Sequence, residues 1–321
     1  MDDEEALERL RLAIDTHVLP GSDRYTLEEV AARAGVDPDL TRRIWRALGF
    51  PDPAPGDRVG GDREVAVLAV AAEPVSTSAE PDRTAETLVR QTRIIAASIA
   101  RIAELWVDQI RLALDSGDPT LVKDAISIEL DQERIGGLLD YLHRRLFASA
   151  LRRELANRSA GGGTARTACF ADLVGYTTLT ERLDALELSE LIGSFEAIAY
   201  DTVATHGGRV VKTIGDEVLF TSDEPERAVD TALHLLARSG EQGLPPLRVG
   251  MDHGPVVWFE GDLFGPTVNR AARLVPEAPV GGLAASRPCR DAAPSAAWTG
   301  VGDRELKGVG LVEVFTLAGP G

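Results

Sequence analysis

The hydrophobic positions divide the chain into two parts with different periods. In the first part, up to about residue 158, apolar residues recur three and four positions apart, which is the spacing of amphipathic helices. Beyond residue 163, short apolar runs bounded by glycine alternate with helical stretches, which is typical of a mixed domain. The pattern predicts an all-helical domain over residues 1–158, a linker over 159–163 and an α+β domain over 164–321.

The first part contains a predicted helix-turn-helix and two long helices. Thr26 is a favourable N-cap residue, and the turn Gly35-Val36-Asp37 separates the two helices that follow it. Helices are predicted at 4–18, 26–34, 40–48, 84–115 and 121–156, with a short apolar segment at 62–71 and a polar turn region at 73–82.

The second part alternates strands and helices in the order βαββαβ. Strands are predicted at 166–172, 208–213, 217–221 and 247–252, with helices at 183–204 and 224–239. This order is the ferredoxin-like arrangement, in which two helices cover one face of an antiparallel sheet. Further strands at 256–259, 282–285 and 311–317 and a helix at 267–275 extend the predicted domain.

Composition and charge argue against several classes of protein. The chain has 321 residues and a net charge of −17, and acidic residues outnumber basic ones on both sides of residue 163. Nucleic-acid backbones are normally bound by a basic excess, so no nucleic-acid partner is expected. The acidic amino terminus and the absence of a long uncharged apolar run predict no transmembrane segment and a cytoplasmic location. Cys169 and Cys289 are too few and too far apart in sequence for a disulfide framework.

Two aspartates at predicted strand ends carry the strongest chemical signal. Asp172 closes the strand before Gly175, and Asp216 follows Gly215 in the turn between two strands. Mg²⁺ prefers one or two carboxylates and completes its octahedron with water and phosphate oxygens. An isolated pair of carboxylates therefore indicates a site for a nucleotide triphosphate and predicts phosphoryl-transfer chemistry.

The basic residues are also unevenly used. Only three of the 34 Lys and Arg residues are lysine, and two of them, Lys212 and Lys307, lie in glycine-flanked motifs. Asn269 and Arg273 are four residues apart and share one face of a predicted helix. Arg270 lies off that face and is expected to be solvated.

Six sequence blocks in order resemble the catalytic domain of class III nucleotidyl cyclases, over roughly residues 164–318. The blocks are Phe170-Ala171-Asp172-Leu173-Val174-Gly175-Tyr176-Thr177, Lys212-Thr213-Ile214-Gly215-Asp216, Leu247-Arg248-Val249-Gly250, Gly261-Asp262-Leu263-Phe264-Gly265, Val268-Asn269-Arg270-Ala271-Ala272-Arg273 and Glu305-Leu306-Lys307-Gly308. The resemblance implies an adenylate cyclase that converts ATP to 3′,5′-cyclic AMP and pyrophosphate.

The same resemblance implies a role for each site residue. Asp172 and Asp216 hold two Mg²⁺ or Mn²⁺ ions, and the backbone amides from Leu173 to Thr177, among them those of Gly175, Tyr176 and Thr177, cradle the β- and γ-phosphates. The remaining roles are base selection for adenine by Lys212 and Asp262, ribose orientation by Asn269, stabilisation of the pentavalent phosphorus by Arg273, and contact with the triphosphate tail by Arg248 and Lys307. Enzymes of this family that use GTP usually carry other residues at the two base-selecting positions, so guanylate cyclase is the alternative.

The resemblance further implies a homodimer with two equivalent sites at its interface. Asp172, Asp216 and Arg248 of one protomer face the five residues Lys212, Asp262, Asn269, Arg273 and Lys307 of its partner, so that a monomer is expected to be inactive.

Residues 1–158 resemble the helical regulatory domain found ahead of some actinobacterial cyclases, which implies a lipid or pH signal. A DNA-binding regulator is the rival interpretation of the helix-turn-helix at 26–48. Arg42, Arg43 and Arg46 share a helix face that would meet a groove. The acidic residues that crowd the same element, among them Glu28 and Asp37, disfavour this interpretation.

Overall fold

The computed structural model describes residues 12, 18, 19, 21, 23–129, 131–159 and 165–319. The chain forms two compact units, Met1–Arg152 and Arg153–Gly321. The helix predicted at 4–18 lies outside the described residues except for Leu12 and Val18. Residues 160–163 of the predicted linker lie outside them as well. The boundary between the predicted domains therefore stays a prediction.

The described part of the first unit is helical. Its helices are α1 (Leu27–Ala34), α2 (Pro38–Ala47), α3 (Asp62–Thr77), α4 (Pro81–Asp115), α5 (Pro119–Glu129) and α6 (Gln132–Ser159), the last of which continues into the second unit. Thr26 caps α1 through a capping box with Glu29, and the αL glycine Gly35 ends it, which confirms the predicted helix-turn-helix. No helix among the described residues is long and apolar enough to cross a membrane.

Two predictions for this unit were wrong. The segments predicted as an apolar stretch and a polar turn form one helix, α3, which contains Pro74 and ends at Thr77. The helix predicted at 121–156 is two helices, α5 and α6. Asp131 stands at the break, where its carboxylate accepts a hydrogen bond from the backbone N–H of Arg134 at 3.0 Å, so it caps the new helix.

The three arginines of α2 form ion pairs with acidic residues of the same unit. Arg42 pairs with Glu28 at 3.5 Å, Arg43 with Glu86 at 2.6 Å and Arg46 with Asp52 at 2.5 Å. Nearby carboxylates therefore offset the positive face that DNA binding requires. The opposite, apolar face of α2 packs through Leu40 and Ile44 into a core shared with α1, α3 and α4.

The second unit is built on a seven-stranded mixed sheet. Its elements after α6 are β1 (Ala165–Leu173), α7 (Tyr176–Thr180), α8 (Ala185–Thr205), β2 (Arg209–Ile214), β3 (Glu217–Ser222), α9 (Pro225–Glu241), β4 (Leu247–Pro255), β5 (Val257–Phe259), β6 (Asp262–Phe264), α10 (Pro266–Leu274), β7 (Gly282–Ser286), α11 (Arg287–Ala292), β8 (Thr299–Leu306) and β9 (Gly310–Ala318). A short 3₁₀ turn, Val275–Glu277, follows α10.

The sheet confirms the ferredoxin-like core. Its strand order is β2-β3-β1-β4-β7-β9-β8, and β1 pairs antiparallel with both β3 and β4. β7 joins β4 in parallel, which makes the extended sheet mixed, and β9 and β8 complete it with antiparallel pairs. The sequence pattern missed β6, α11 and β8. A separate two-stranded hairpin is formed by β5 and β6.

The two faces of the sheet carry different helices. Cys169, Ala171 and Leu173 of β1 point into a core with α8 and α9, whereas Ala168 and Phe170 belong to a core with α10. Side chains alternate between faces along a strand. Asp172 therefore lies on the face that α10 covers, at the end of β1.

Gly250 on β4 allows α10 to lie directly against the sheet. A Cβ atom at this position would be 2.3 Å from the carbonyl oxygen of Ala271 and 2.5 Å from the backbone nitrogen of Val275. Both neighbours are backbone atoms and have no rotamer to adopt. A side chain here would displace the helix or the strand.

We expect Gly250→Ala to lower the free energy of unfolding by about 2–3 kcal/mol because overpacking against backbone forces a shift. Gly193→Ala is the matched control, since Gly193 lies in α8 and a Cβ there has no neighbour within 4 Å. The control is expected to be neutral or more stable by up to about 1 kcal/mol. Urea unfolding of both variants measures the difference, and equal midpoints would contradict the close approach.

Candidate active site

Asp172 and Asp216 come together because β1 ends beside the hairpin between β2 and β3. Asp172 is the register partner of Glu217 on β3, and Gly215 and Asp216 form the two-residue turn. Gly215 adopts a φ of 63°, a conformation that glycine reaches without strain. The backbone N–H of Leu173 donates to the carbonyl oxygen of Asp216 at 3.1 Å, which ties the turn to the end of β1.

The Asp172 carboxyl is close enough to Asp216 for its pKa to be shifted. Burial, the charge of Asp216 and a hydrogen bond with Asp216 raise the pKa of Asp172 to about 6, while Arg248 opposes the shift. Burial together with the charges of Asp172 and Asp216 raises the pKa of Glu217 to about 7, and Lys212 opposes it. The site therefore concentrates negative charge, which a divalent cation offsets.

This donor set fits a metal ion that shares its coordination with a substrate. Within the described residues, no group of three His, Cys, Asp or Glu side chains is arranged to hold a metal ion. Two hard carboxylate ligands with open positions suit Mg²⁺ or Mn²⁺, whose remaining ligands are water and phosphate oxygens. Asp172 and Asp216 thus fit the ion that the sequence predicted there.

Arg248 lies next to this pair on β4. It is the register partner of Asp172, and its charge acts on the Asp172 carboxyl. Its Nε atom is buried, and no residue in the described part of the chain forms a hydrogen bond with it. A buried donor without a partner costs free energy, so this guanidinium has unmet capacity for an anionic ligand.

The turn after β1 leaves three consecutive backbone amides free of bonds. Gly175 adopts a φ of 81° and precedes α7. The hydrogen bonds among the described residues do not use the N–H groups of Gly175, Tyr176 and Thr177. The prediction that the amides of Leu173 and Val174 also bind phosphate was wrong, because the N–H of Leu173 donates to Asp216 and the N–H of Val174 donates to the carbonyl oxygen of Pro246 at 2.8 Å.

Lys212 and Asp262 form an ion pair although they are 50 residues apart. The Lys212 Nζ atom lies 2.5 Å from Oδ2 of Asp262, and the side chains are 39% and 27% exposed. A register shift between Val210 and Lys212, of the kind a β-bulge produces, lies beside Lys212 on β2. The turn at Glu260 and Gly261, both with positive φ, places Asp262 at the start of β6. The structure thus brings the two predicted base-selecting residues together.

Asn269, Arg273 and Lys307 are exposed in this chain. Asn269 and Arg273 lie on one face of α10, and Lys307 lies in the turn between β8 and β9. Among the described residues, no hydrogen bond or ion pair joins any of the three to Asp172, Asp216, Lys212 or Asp262. A single chain therefore presents these groups to solvent rather than to one another.

Arg270 is not solvated as expected. Its Nε atom donates to Oδ2 of Asp252 at 2.7 Å, and the Asp252 side chain is fully buried. Sequence reasoning also missed Glu217. Its position directly after Asp216 and opposite Asp172 was the available signal, because opposed residues of an antiparallel pair share a face.

Comparisons with known proteins identify the family of the chain. The adenylate and guanylate cyclase catalytic domain profile matches residues 164–319. The chain is 34% identical to an adenylate cyclase of Streptomyces coelicolor over 283 residues, which cover 84% of this chain and 72% of the relative. It is 29% identical to a pH-sensitive adenylate cyclase of Mycobacterium tuberculosis over 334 residues, which cover 95% of this chain and 81% of that relative.

Solved structures include an adenylate/guanylate cyclase/hydrolase of Silicibacter pomeroyi, with 26% identity and a TM-score of 0.44 over 49% of this chain and 97% of that chain. The identity to the Streptomyces enzyme extends over most of both proteins. The chain belongs to the adenylate and guanylate cyclase family, whose class III catalytic domain it carries.

Proposed function

We propose that this protein is an adenylate cyclase, which converts ATP to 3′,5′-cyclic AMP and pyrophosphate in the cytoplasm. The observation that carries the proposal is the Lys212–Asp262 pair, held in the same unit as the Asp172–Asp216 carboxylates. Adenine offers ring-nitrogen acceptors and an exocyclic amine donor, so an ammonium and a carboxylate complement it. At the same two positions guanine presents the O6 acceptor and the N1–H donor, which is the reverse of the adenine pattern, so the pair does not complement guanine in the same orientation.

In the proposed reaction the ribose 3′-oxygen bonds to the α-phosphorus while the bond from that phosphorus to the leaving pyrophosphate breaks. Asp172 and Asp216 would hold two Mg²⁺ or Mn²⁺ ions. These ions, when bound, lower the pKa of the 3′-hydroxyl and neutralise phosphate charge. The side chains of the protein must hold the hydroxyl in line with the leaving group, because positioning supplies much of the rate.

The other site residues have complementary roles in this proposal. Arg248 meets the triphosphate tail with its unmatched guanidinium, and the free amides at Gly175, Tyr176 and Thr177 receive phosphate oxygens. Asn269 orients the ribose. Arg273 stabilises the charge on the pentavalent phosphorus, a task suited to a planar group that is always charged. Lys307 contacts the tail.

The proposed active form is a homodimer. Asn269, Arg273 and Lys307 are exposed and therefore accessible to a second protomer, and in the proposed dimer the acidic Asp172 and Asp216 of that protomer face the basic Arg273 and Lys307. A two-fold axis then generates two equivalent sites.

Product identity tests the function directly. Purified protein is incubated with ATP or GTP, each with Mg²⁺ or Mn²⁺, and the cyclic products are separated chromatographically. Cyclic AMP formation is the expected result. Preferential formation of cyclic GMP would identify a guanylate cyclase, and the absence of any cyclic product would reject the proposed function.

We expect Asp262→Asn to lower the preference for ATP over GTP about 10- to 100-fold, the range for loss of one charged hydrogen bond. The asparagine amide accepts from the amine of adenine more weakly than the carboxylate does, and it can also donate to the O6 atom of guanine. Binding of ATP is therefore weakened and binding of GTP is strengthened. The ratio of kcat/KM values for the two nucleotides measures the effect. Asp303→Asn, an exposed change on β8, is the control, and an unchanged ratio in Asp262→Asn would remove Asp262 from base selection.

We also propose that the first unit regulates the second in response to a lipid or pH signal. An apolar cavity of about 570 Å³ supports the lipid alternative, and it is lined by Leu27, Ile44, Trp45, Val67 and Leu68 among others. Comparing the full chain with a chain that lacks residues 1–158 tests regulation. Equal specific activities and pH profiles, with and without fatty-acid micelles, would contradict it.

A further inference from the structure

The helix α10, which carries Asn269 and Arg273, contacts β4 at three points on one face of the strand. Gly250 lies under the carbonyl of Ala271, and Gly254 lies under Thr267, where a Cβ atom would be 2.9 Å from the Thr267 Oγ1 atom. Between these two glycines, on the same face, lies Asp252. The glycines set the distance between helix and strand, but neither provides a directional contact.

Asp252 provides the directional contact. Its side chain is fully buried, and one carboxylate oxygen accepts from Arg270 Nε at 2.7 Å. The other oxygen accepts from the hydroxyl of Ser286, which is itself buried on β7. The backbone N–H of Cys289 donates to the Ser286 oxygen at 3.3 Å. The carboxylate is therefore held by two adjacent strands, β4 through its own backbone and β7 through Ser286, independently of its bond to α10.

Arg270 lies between the two exposed residues in sequence, one position after Asn269 and three before Arg273. Each residue of an α-helix turns the chain by about 100°, so a bond at Arg270 fixes the direction of both neighbours. Rotation of α10 about its axis would break the bond to Asp252, whereas the apolar contacts of the buried Val268 and Ala271 are not directional. Errors of about 1 Å at a reacting centre cost up to about 10²-fold in rate.

We propose that Asp252 and Arg270 are a positioning pair that sets the rotation of α10 and thereby aims Asn269 and Arg273 at the nucleotide. This inference rests on the proposed cyclase function. Arg270 and Asp252 act through their neighbours and do not touch the substrate. The pair therefore affects kcat and leaves base selection by Lys212 and Asp262 unchanged.

Three variants test the pair by steady-state kinetics. Arg270→Gln leaves a buried carboxylate without its cation and is expected to lower kcat about 10- to 100-fold. Asp252→Asn should have a smaller effect, because the partly exposed Arg270 can be solvated. The double variant carries a neutral pair that can still form a hydrogen bond, so it should recover at least about threefold in kcat over Arg270→Gln. KM for ATP and the ATP-to-GTP ratio should stay within about twofold.

Arg238→Gln is the matched control, because it breaks the pair of Arg238 with Asp201, which joins α8 and α9 on the other face of the sheet. All variants are assayed at a temperature at which thermal denaturation shows them folded. An Arg270→Gln kcat equal to that of the control would overturn the proposal. A loss that the double variant does not recover would also overturn it.

A double-mutant cycle with Arg273→Ala separates positioning from general destabilisation. If Arg270 acts by aiming Asn269 and Arg273, the loss in kcat caused by Arg270→Gln should be at least about threefold smaller in the Arg273→Ala background than in the wild-type background, because only the aiming of Asn269 remains. A purely structural role predicts the same loss in both backgrounds, which would contradict the inference.

Hydrogen exchange gives a readout that does not depend on cyclase activity. In Arg270→Gln, the amides of residues 268–275 should exchange at least about tenfold faster than in the wild-type protein, while those of α8 keep their rates. This arm decides the structural part of the inference even if the wild-type protein forms no cyclic nucleotide. Unchanged exchange in α10 would reject the positioning pair by itself.

Discussion

Replacement of Asp172 by asparagine is expected to reduce kcat for cyclic AMP formation by at least about 10³-fold, because metal-assisted charge stabilisation is worth several kcal/mol. The carboxylate is half-buried and adjacent to Asp216, and it is one of two ligands proposed for the metal ions. Asparagine keeps the shape but is a weak, neutral ligand. Discontinuous assays at saturating Mn²⁺ measure the residual rate, and a loss of less than tenfold would contradict the metal role.

The same substitution should make the metal-free protein more stable. Because the pKa of Asp172 is raised to about 6, its ionised form is disfavoured in the folded state. The stability contributed by the protonated carboxyl is fully present below its unfolded pKa and is lost as the pH rises through about 6. Above that pH, in EDTA, Asp172→Asn should melt at a higher temperature than the wild-type protein. Added Mn²⁺ should raise the melting temperature of the wild-type protein but not that of Asp172→Asn.

A matched control for this experiment is Asp201→Asn. Asp201 is exposed and lies on α8, on the other face of the sheet, where it pairs with Arg238. It should retain both kcat and the thermal shift with Mn²⁺. A higher melting temperature in Asp172→Asn together with full activity would mean that the carboxylate is strained for some reason other than metal binding.

The sequence predicted those parts of the site that depend on local motifs. Asp172 and Asp216 each lie at a strand end beside a glycine, and both features are visible within a few residues. The ferredoxin-like core followed from the order of the strands and helices. The pairing of Lys212 with Asp262 agreed with the resemblance, although spacing alone gives no reason for two residues 50 positions apart to meet.

The missed features depend on long-range register. Arg270 reaches Asp252 only because Gly250 and Gly254 allow α10 to approach β4, and no local pattern reveals that contact. Glu217 became part of the charged cluster through its pairing with Asp172 across two strands. The break between α5 and α6 was missed because the apolar spacing continues through it, although Asp131 caps the helix that follows.

Shared active sites predict that two inactive variants restore activity when mixed. Asp172→Ala disables the metal half of a protomer, and Asn269→Ala disables the half formed by α10. In a mixed dimer, one interface site combines both defects, and the other combines the intact metal half of one protomer with the intact α10 of its partner. Each variant alone is expected to lose at least about 10²-fold in kcat.

The size of the restored activity follows from the statistics of subunit exchange. In an equimolar mixture half of the dimers are mixed, and each has one working site of two, so about one quarter of the wild-type rate is expected. The control mixture, Asp172→Ala with Asp216→Ala, places both defects in the same half-site and should stay inactive. Equal and negligible activity in both mixtures, after exchange is verified with differently tagged subunits, would mean that each site is built from one chain. The exposed Asn269 and Arg273 would then have no role across a dimer interface.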